Sequence, residues 1–386
     1  MIGGPVTVSE LTRNAVDVLP EGGLEQKLAL RRPLRVKFGI DVTAPDVHIG
    51  NAIPLQRMRA FQDQGHLGVL IIGDYTTRIG DPSGRSAERP ILSGEEIDRN
   101  AKTYLEQAAK VIALDRTEVR FNGEWLSELD FAEVLRITRT TTVARLLERD
   151  DFAKRFASNA PISVSELLYP LMQAYDSVAV EADVELGGTD QLYNLLAGRD
   201  VMQSYGLDPQ VALTTPLLIG FDGQKMSGSL GNYIGLAEPP EEQFGKAMRI
   251  SDELLPDYYR LVMQSDGPQP ANPLEAKLAL ARWIVTRSHG EEAARGAEEH
   301  FTRVVREGQA PEDVVELELP RADPVHLPRL LVDGLGIGSA SEARRLIGQG
   351  AVRLDGEVVT ELDVPREQLE GRLLQAGKRR FARLTP

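Results

Sequence analysis

The run Gly68-Val69-Leu70-Ile71-Ile72-Gly73 constrains the fold more than any other stretch of the chain. Four consecutive apolar residues between glycines, with no polar alternation, describe a strand buried on both faces, as in a parallel sheet covered by helices. Leu34-Arg35-Val36-Lys37-Phe38-Gly39-Ile40 before it reads as a second strand. Ile53, Leu55, Met58 and Phe61 between them recur at helical spacing. Strand, helix and strand over about 40 residues make a right-handed βαβ unit.

The alternation continues. Ser93 and Glu96 form a capping box that opens a helix running to Ile112. Residues 118–122 read as a strand and 130–149 as helix. Ala182 to Leu186 is a strand ahead of the turn Gly187-Gly188-Thr189-Asp190 and a helix through Arg199, and Val211 to Ile219 is a further strand. The expected class is α/β: a Rossmann-like, doubly wound parallel sheet over residues 1–236, with ligands at the carboxyl ends of its strands. Composition turns to Ala, Glu, Leu and Arg around Pro239-Pro240, so 237–308 is expected as a helical domain. Residues 309–328 hold four prolines and read as a linker. Residues 329–386 then form a small α+β module that includes a hairpin with an Asp355-Gly356 turn.

With 386 residues, two or three domains are expected. No apolar run reaches membrane-spanning length and the N-terminus has no secretory pattern, which points to the cytoplasm. The chain has no cysteine, which excludes disulfides, thiolate metal sites and a cysteine nucleophile. Net charge is −14, yet Arg321 to Pro386 carries 11 Lys+Arg against 9 Asp+Glu, so the acidic excess lies in the first 320 residues. The basic tail, ending in Lys378-Arg379-Arg380 and Arg383, suits a nucleic-acid contact; a solvated tail is the other reading.

Glycine-bearing turns at the strand ends carry the chemistry. In Thr43-Ala44-Pro45-Asp46-Val47-His48-Ile49-Gly50-Asn51, a helix N-terminus offers free N–H groups to phosphate, Gly50 permits close approach and His48 can donate. Gly80-Asp81-Pro82-Ser83-Gly84-Arg85 to Arg89 offers Asp81 to an ammonium group, and Arg85 and Arg89 to phosphate. Tyr169, Gln173 and Asp176, at i, i+4 and i+7, share one helix face, which burial without partners would penalise. Asp190 and Gln191 follow a glycine turn; ribose or helix capping suits the first. Lys225-Met226-Ser227-Gly228-Ser229 is a loop whose lysine can stabilise charge on departing pyrophosphate, its hydroxyls serving ATP. Taken singly, each of these segments also has a purely structural reading.

Five such motifs in this order and spacing resemble the bacterial tyrosyl-tRNA synthetases, of the class I aminoacyl-tRNA synthetase family. The resemblance implies an ATP-dependent ligase that activates L-tyrosine as tyrosyl-adenylate and transfers it to tRNA(Tyr), with ATP and Mg²⁺ and no protein-bound metal. It places Asp81, Tyr169 and Gln173 at the tyrosine ammonium and Asp176 at the phenol. Gln191 falls at the carboxylate or ribose, and Thr43 and His48 at the γ-phosphate region. Asp41, Gly39 and Gly50 line the adenylate cleft, with Asp190 at ribose. Arg85, Arg89 and Lys225 meet pyrophosphate. It further implies a homodimer joined through about 115–165, and a C-terminal RNA-binding module that grips tRNA, where Arg344, Arg345, Arg353, Lys378, Arg379 and Arg380 are the expected contacts. Three positions depart from the family pattern. Asn51 replaces a second histidine and Gly228 a second lysine. Lys37 stands where many relatives have a tyrosine at the phenol, and an ion pair with Asp176 is expected for it. These departures leave open a diverged RNA-binding paralogue or an enzyme for another aromatic amino acid.

Overall fold

The computed structural model describes residues 7–81, 92–306, 314–377 and 380–386. They fall into two compact units, Met1–Pro239 with Lys246–Ser288, and Pro240–Gly245 with His289–Pro386.

The first unit is built on six strands: β1 (Asp17–Leu19), β2 (Arg35–Ile40), β3 (Leu67–Ile72), β4 (Thr117–Phe121), β5 (Val184–Gly188) and β6 (Val211–Thr215). Their order is β1-β6-β5-β2-β3-β4. β1 runs antiparallel to β6, and the other neighbours are parallel. Chain order reverses between β2 and β5, so the doubly wound sheet opens a crevice at their carboxyl ends. The glycine-flanked apolar run is β3, whose residues from Gly68 to Ile72 are all buried. The capping box at Ser93 and Glu96 starts the Gly94–Ala108 helix. The helical stretch expected over 130–149 breaks into Phe131–Thr138 and Val143–Leu147, each opened by its own cap, Asp130 and Thr142.

Residues 246–288 belong to the same compact unit as this sheet. Gln56 Nε2 donates to the Val262 carbonyl at 3.1 Å and Tyr258 Oη to the Ile219 carbonyl at 2.6 Å. Buried Arg57 binds the Gln264 side chain at 3.1 Å.

In the second unit, β7 (Val315–Glu318), β9 (Val352–Leu354), β10 (Glu357–Val358), β12 (Leu373–Ala376) and β13 (Arg380–Thr385) form a sheet of order β10-β9-β12-β13-β7, and β8 (Val325–His326) pairs with β11 (Asp363–Val364). The expected linker 309–328 thus contains a strand: Val315-Glu316-Leu317-Glu318 alternates with period two and pairs in parallel with β13. Leu331, Leu354, Leu369, Leu374 and Leu384 lie in the core of this unit. β9 and β10 turn through Asp355 and Gly356 at φ 48° and 87°, the two left-handed residues that a tight hairpin requires. Gly356→Ala is expected to destabilise the hairpin by about 1 kcal/mol, because a Cβ opposes that backbone conformation. Faster amide exchange along β9 reads the effect; unchanged exchange would mean that the turn tolerates a side chain.

Candidate functional site

At the carboxyl end of β2, Asp41 takes Thr76 Oγ1 on one oxygen at 2.7 Å and Tyr169 Oη on the other at 3.0 Å. Gly73 sits against this pair, and a Cβ there would collide with both Asp41 and Thr76. Burial, followed by the charges of Asp41 and Asp81, pushes the Tyr169 phenol far up, so it stays a donor. Gln191 Nε2 donates to Asp81 at 2.7 Å. Gln173 Oε1 and Gln191 Oε1 both accept from Asn194 Nδ2 at 3.0 Å. The helix Val164–Ala179, capped by Ser163 and Glu166, thereby brings Tyr169, Gln173 and Asp176 to the crevice as the i, i+4, i+7 spacing predicts.

Asp176 is buried and accepts from Trp125 Nε1 at 2.8 Å and Asn122 Nδ2 at 3.4 Å. Burial raises its carboxyl to about 7, against the opposing pull of the Lys37 charge and these two donors. The expected Lys37–Asp176 ion pair is not formed. Lys37 is fully buried and donates to Glu185 Oε1 at 2.9 Å, Ser177 Oγ at 2.7 Å and the Gln173 carbonyl at 2.9 Å. Its partner Glu185 stands directly opposite in the β2–β5 register, so the charge is paired across the sheet.

On the nucleotide side, His48 caps the helix Ile49–Asp63. Its Nδ1 accepts from the Asn51 N–H at 3.2 Å, and its own N–H reaches Asn51 Oδ1 at 3.3 Å. Asn51 therefore completes a capping box. Burial, with Lys225 adding to it, lowers the His48 imidazole to about 4. At neutral pH the ring is uncharged, with Nδ1 used as acceptor and Nε2 as the N–H donor. A Cβ on Gly50 would touch that ring at 3.0 Å, whereas one on Gly39, exposed on a central strand, would meet nothing within 4 Å. Half-buried Thr43 bonds through its N–H to the Asp41 carbonyl at 2.9 Å. Lys225 pairs with Asp190 at 2.5 Å. Asn232 gathers the lysine loop, bonding the Ser227 N–H, Asp222 and the Lys225 carbonyl at 2.8, 2.8 and 3.0 Å. Ser229 lies in the single turn Gly228–Leu230, and Gly228 faces open space. Arg85 and Arg89 lie outside the described residues.

In the second unit, Arg344 and Arg345 are exposed on the helix Ala340–Gly348, as are Arg353 on β9 and Arg380 on β13. Lys378 and Arg379 lie outside the described residues. Several residues around the crevice were not singled out from sequence: Thr76, Asn122, Trp125, Arg149, Glu185, Asn194 and Asn232. Glu185 alone carries a signal, a single carboxylate inside an apolar strand, matching the single lysine in β2.

Residues 29–306 match the family tRNA synthetases class I (W and Y), and residues 330–364 match the S4 domain. The chain belongs to the class I aminoacyl-tRNA synthetases of that family. Its likeness to tyrosine–tRNA ligases runs nearly the full length: 51% identity to that of Moorella thermoacetica, covering 97% of this chain and 94% of the relative, and 47% to that of Thermotoga maritima, covering 98% and 97%. The solved tyrosyl-tRNA synthetase of Archaeoglobus fulgidus, complexed with L-tyrosine, superposes with a TM-score of 0.62 at 25% identity over 75% of this chain and 98% of that one.

The raised Asp176 carboxyl has a pH signature. In the unfolded chain it titrates near the ordinary carboxylate value, about 4. Between pH 4 and 7 the folded state therefore holds a proton that the unfolded state has lost, and this group's contribution to stability falls as pH rises through that window. Asp176→Asn should gain stability relative to the parent from pH 4 to 7 and track it in parallel above; denaturant midpoints that stay parallel throughout would contradict the shift.

Proposed function

We propose that the crevice at the β2–β5 switch point performs the activation of L-tyrosine by ATP, and that the exposed arginines of the second unit hold the tRNA to which the tyrosyl group passes. The observation that carries this reading is the convergence of Asp41–Tyr169, Asp81–Gln191 and the buried Asp176 on one sheet edge. Asp81, Tyr169 and Gln173 receive the ammonium group. Asp176, whose carboxyl titrates near 7, meets the phenol with Trp125 and Asn122 holding it in place. Gln191 orients the carboxylate.

One carboxylate oxygen attacks the α-phosphorus of ATP and the bond to the bridging oxygen breaks, giving tyrosyl-adenylate and pyrophosphate. The terminal ribose hydroxyl of tRNA(Tyr) then attacks the tyrosyl carbonyl and AMP leaves. Neither step uses a protein nucleophile, so positioning and charge stabilisation supply the rate. His48, neutral with its Nε2–H free of the cap, donates toward the phosphates together with Thr43. Gly39, Gly50 and Asp41 leave room for the nucleotide. Lys225 leaves Asp190 for pyrophosphate, which frees Asp190 for ribose; Arg85 and Arg89 add charge, and Ser227 and Ser229 belong to the same loop. Among the described residues, no cluster of three or more His, Cys, Asp or Glu is arranged to hold a metal. Mg²⁺ enters with ATP, on its phosphates, a common mode for this ion.

Phe131, Val143, Phe156 and Val164 are 75%, 62%, 64% and 71% exposed, which supports a homodimer joined through 115–165. No helix among the described residues is long and apolar enough to cross a membrane, and the tRNA substrate supports a cytoplasmic enzyme.

His48→Asn separates the two roles of that residue. Asparagine caps a helix well, but its shorter amide cannot place an N–H where the imidazole Nε2–H stands. Stability should hold while tyrosine-dependent adenylate formation, followed in single turnover, slows by roughly 10²–10³; an unchanged rate would remove His48 from the reaction. Replacing Arg344, Arg345 and Arg353 by Ala together should weaken tRNA binding and flatten its salt dependence by about one unit of log–log slope per lost phosphate contact, with adenylate formation intact. Equal damage to both steps would refute the division of labour.

A further inference from the structure

Arg149, Asn194, Gln191 and Gln173 form a hydrogen-bond chain whose direction is fixed by chemistry. A guanidinium can only donate. Arg149 Nη1 lies 2.9 Å from Asn194 Oδ1, so the amide oxygen of Asn194 is committed to it. The Asn194 amino group is thereby turned to the two glutamines and meets the carbonyl oxygen of each at 3.0 Å. Gln173 consequently turns its amino group inward, 3.3 Å from Glu185, a carboxylate paired with Lys37. Gln191 turns its amino group outward, 2.7 Å from Asp81. Asn194 and Arg149 are 1% and 7% exposed, and Arg149 is also braced by Asp151 at 3.1 Å and by the rings of Phe152 and Tyr193.

We propose that Asn194 is a positioning residue that sets the polarity of Gln191, so that Gln191 presents an N–H donor to the carboxylate of the amino acid. The two glutamines then show opposite faces to a zwitterion. Gln173 offers its carbonyl oxygen beside the ammonium, and Gln191 offers its amino group beside the carboxylate. When the ammonium takes Asp81, Gln191 Nε2 is released to the carboxylate that must be aimed at phosphorus. Arg149 acts on Gln191 through Asn194, and its permanent charge keeps the Asn194 amide from flipping. The proposal rests on the placement of Gln191 at the carboxylate given above.

Equilibrium binding of L-tyrosine and L-tyrosinol tests it, because tyrosinol keeps the ring and the ammonium but lacks the carboxylate. In Asn194→Asp the new side chain accepts from Arg149 and also from Gln191, whose amide must rotate and show its oxygen outward. The preference for tyrosine over tyrosinol should fall by about tenfold to a hundredfold, the range expected when a hydrogen bond to a charged group is lost. Asn194→Ala frees the Gln191 amide without reversing it, and should lower the preference by less. A purely structural role would weaken both ligands equally and leave their ratio unchanged in both variants, which would overturn the proposal. A parent protein that binds the two ligands equally would instead refute the placement of Gln191, and the proposal with it.

Discussion

The site depends on one buried ion pair. Lys37 and Glu185 face each other across the two central strands, with side chains 0% and 1% exposed. Removing two charges from water costs several kcal/mol each, and only complete hydrogen bonding offsets it. Here it is complete. The three protons of Lys37 go to Glu185, Ser177 and the Gln173 carbonyl, while Glu185 also accepts from Ser177 at 3.1 Å and Gln210 at 2.9 Å. Because one of these bonds ends on the backbone of the Val164–Ala179 helix, the pair fixes that helix to the sheet at the turn that carries Gln173 and Asp176. Sheet and substrate face are thus registered by charge as well as by apolar packing.

Two polar chains run through the site, and the first starts at that anchor, where Gln173 Nε2 lies 3.3 Å from Glu185. One runs through Gln173, Asn194 and Gln191 to Asp81. The other runs from Asp41 through Thr76 and Asn122 to Asp176. Both end at the crevice. This suits a reaction with no protein nucleophile, where the gain comes from atoms already in place. The lysine loop is built differently: Lys225 is about half exposed and closed onto Asp190, and the loop is held by Asn232 and by backbone bonds from Met226 to Leu218 and from Gly220 to Gln224. At Gly228 in that loop a Cβ would meet nothing within 4 Å.

The sheet was legible because short apolar runs bounded by glycines, such as Val69 to Ile72, alternate along the chain with segments of helical spacing. The turns were legible because Gly50, Gly187 and Gly188 stand where backbone must meet ligand or helix. The surroundings of Lys37 were not. Alternation along β2 says that it faces away from Val36 and Phe38, but its partner lies 148 residues further on, and only the sheet order brings them together. Asn194 and Arg149 escaped for a related reason, since an amide relay has no characteristic spacing. Composition separated the helices after Pro239 from the sheet domain, yet their packing follows Gln56, Arg57 and Tyr258, which composition cannot show. β7 hid among prolines because four residues are too few for a periodic signal.

In the proposed function this network builds a pocket for a phenol-bearing amino acid and aims its carboxylate at ATP. The most direct test is amino-acid-dependent ATP–pyrophosphate exchange by the full chain, with L-tyrosine and L-phenylalanine compared under the same conditions. The account predicts strong exchange with tyrosine and none above background with phenylalanine, since Asp176 and its donors would be left facing an unpartnered ring edge. Comparable exchange with both amino acids would contradict it.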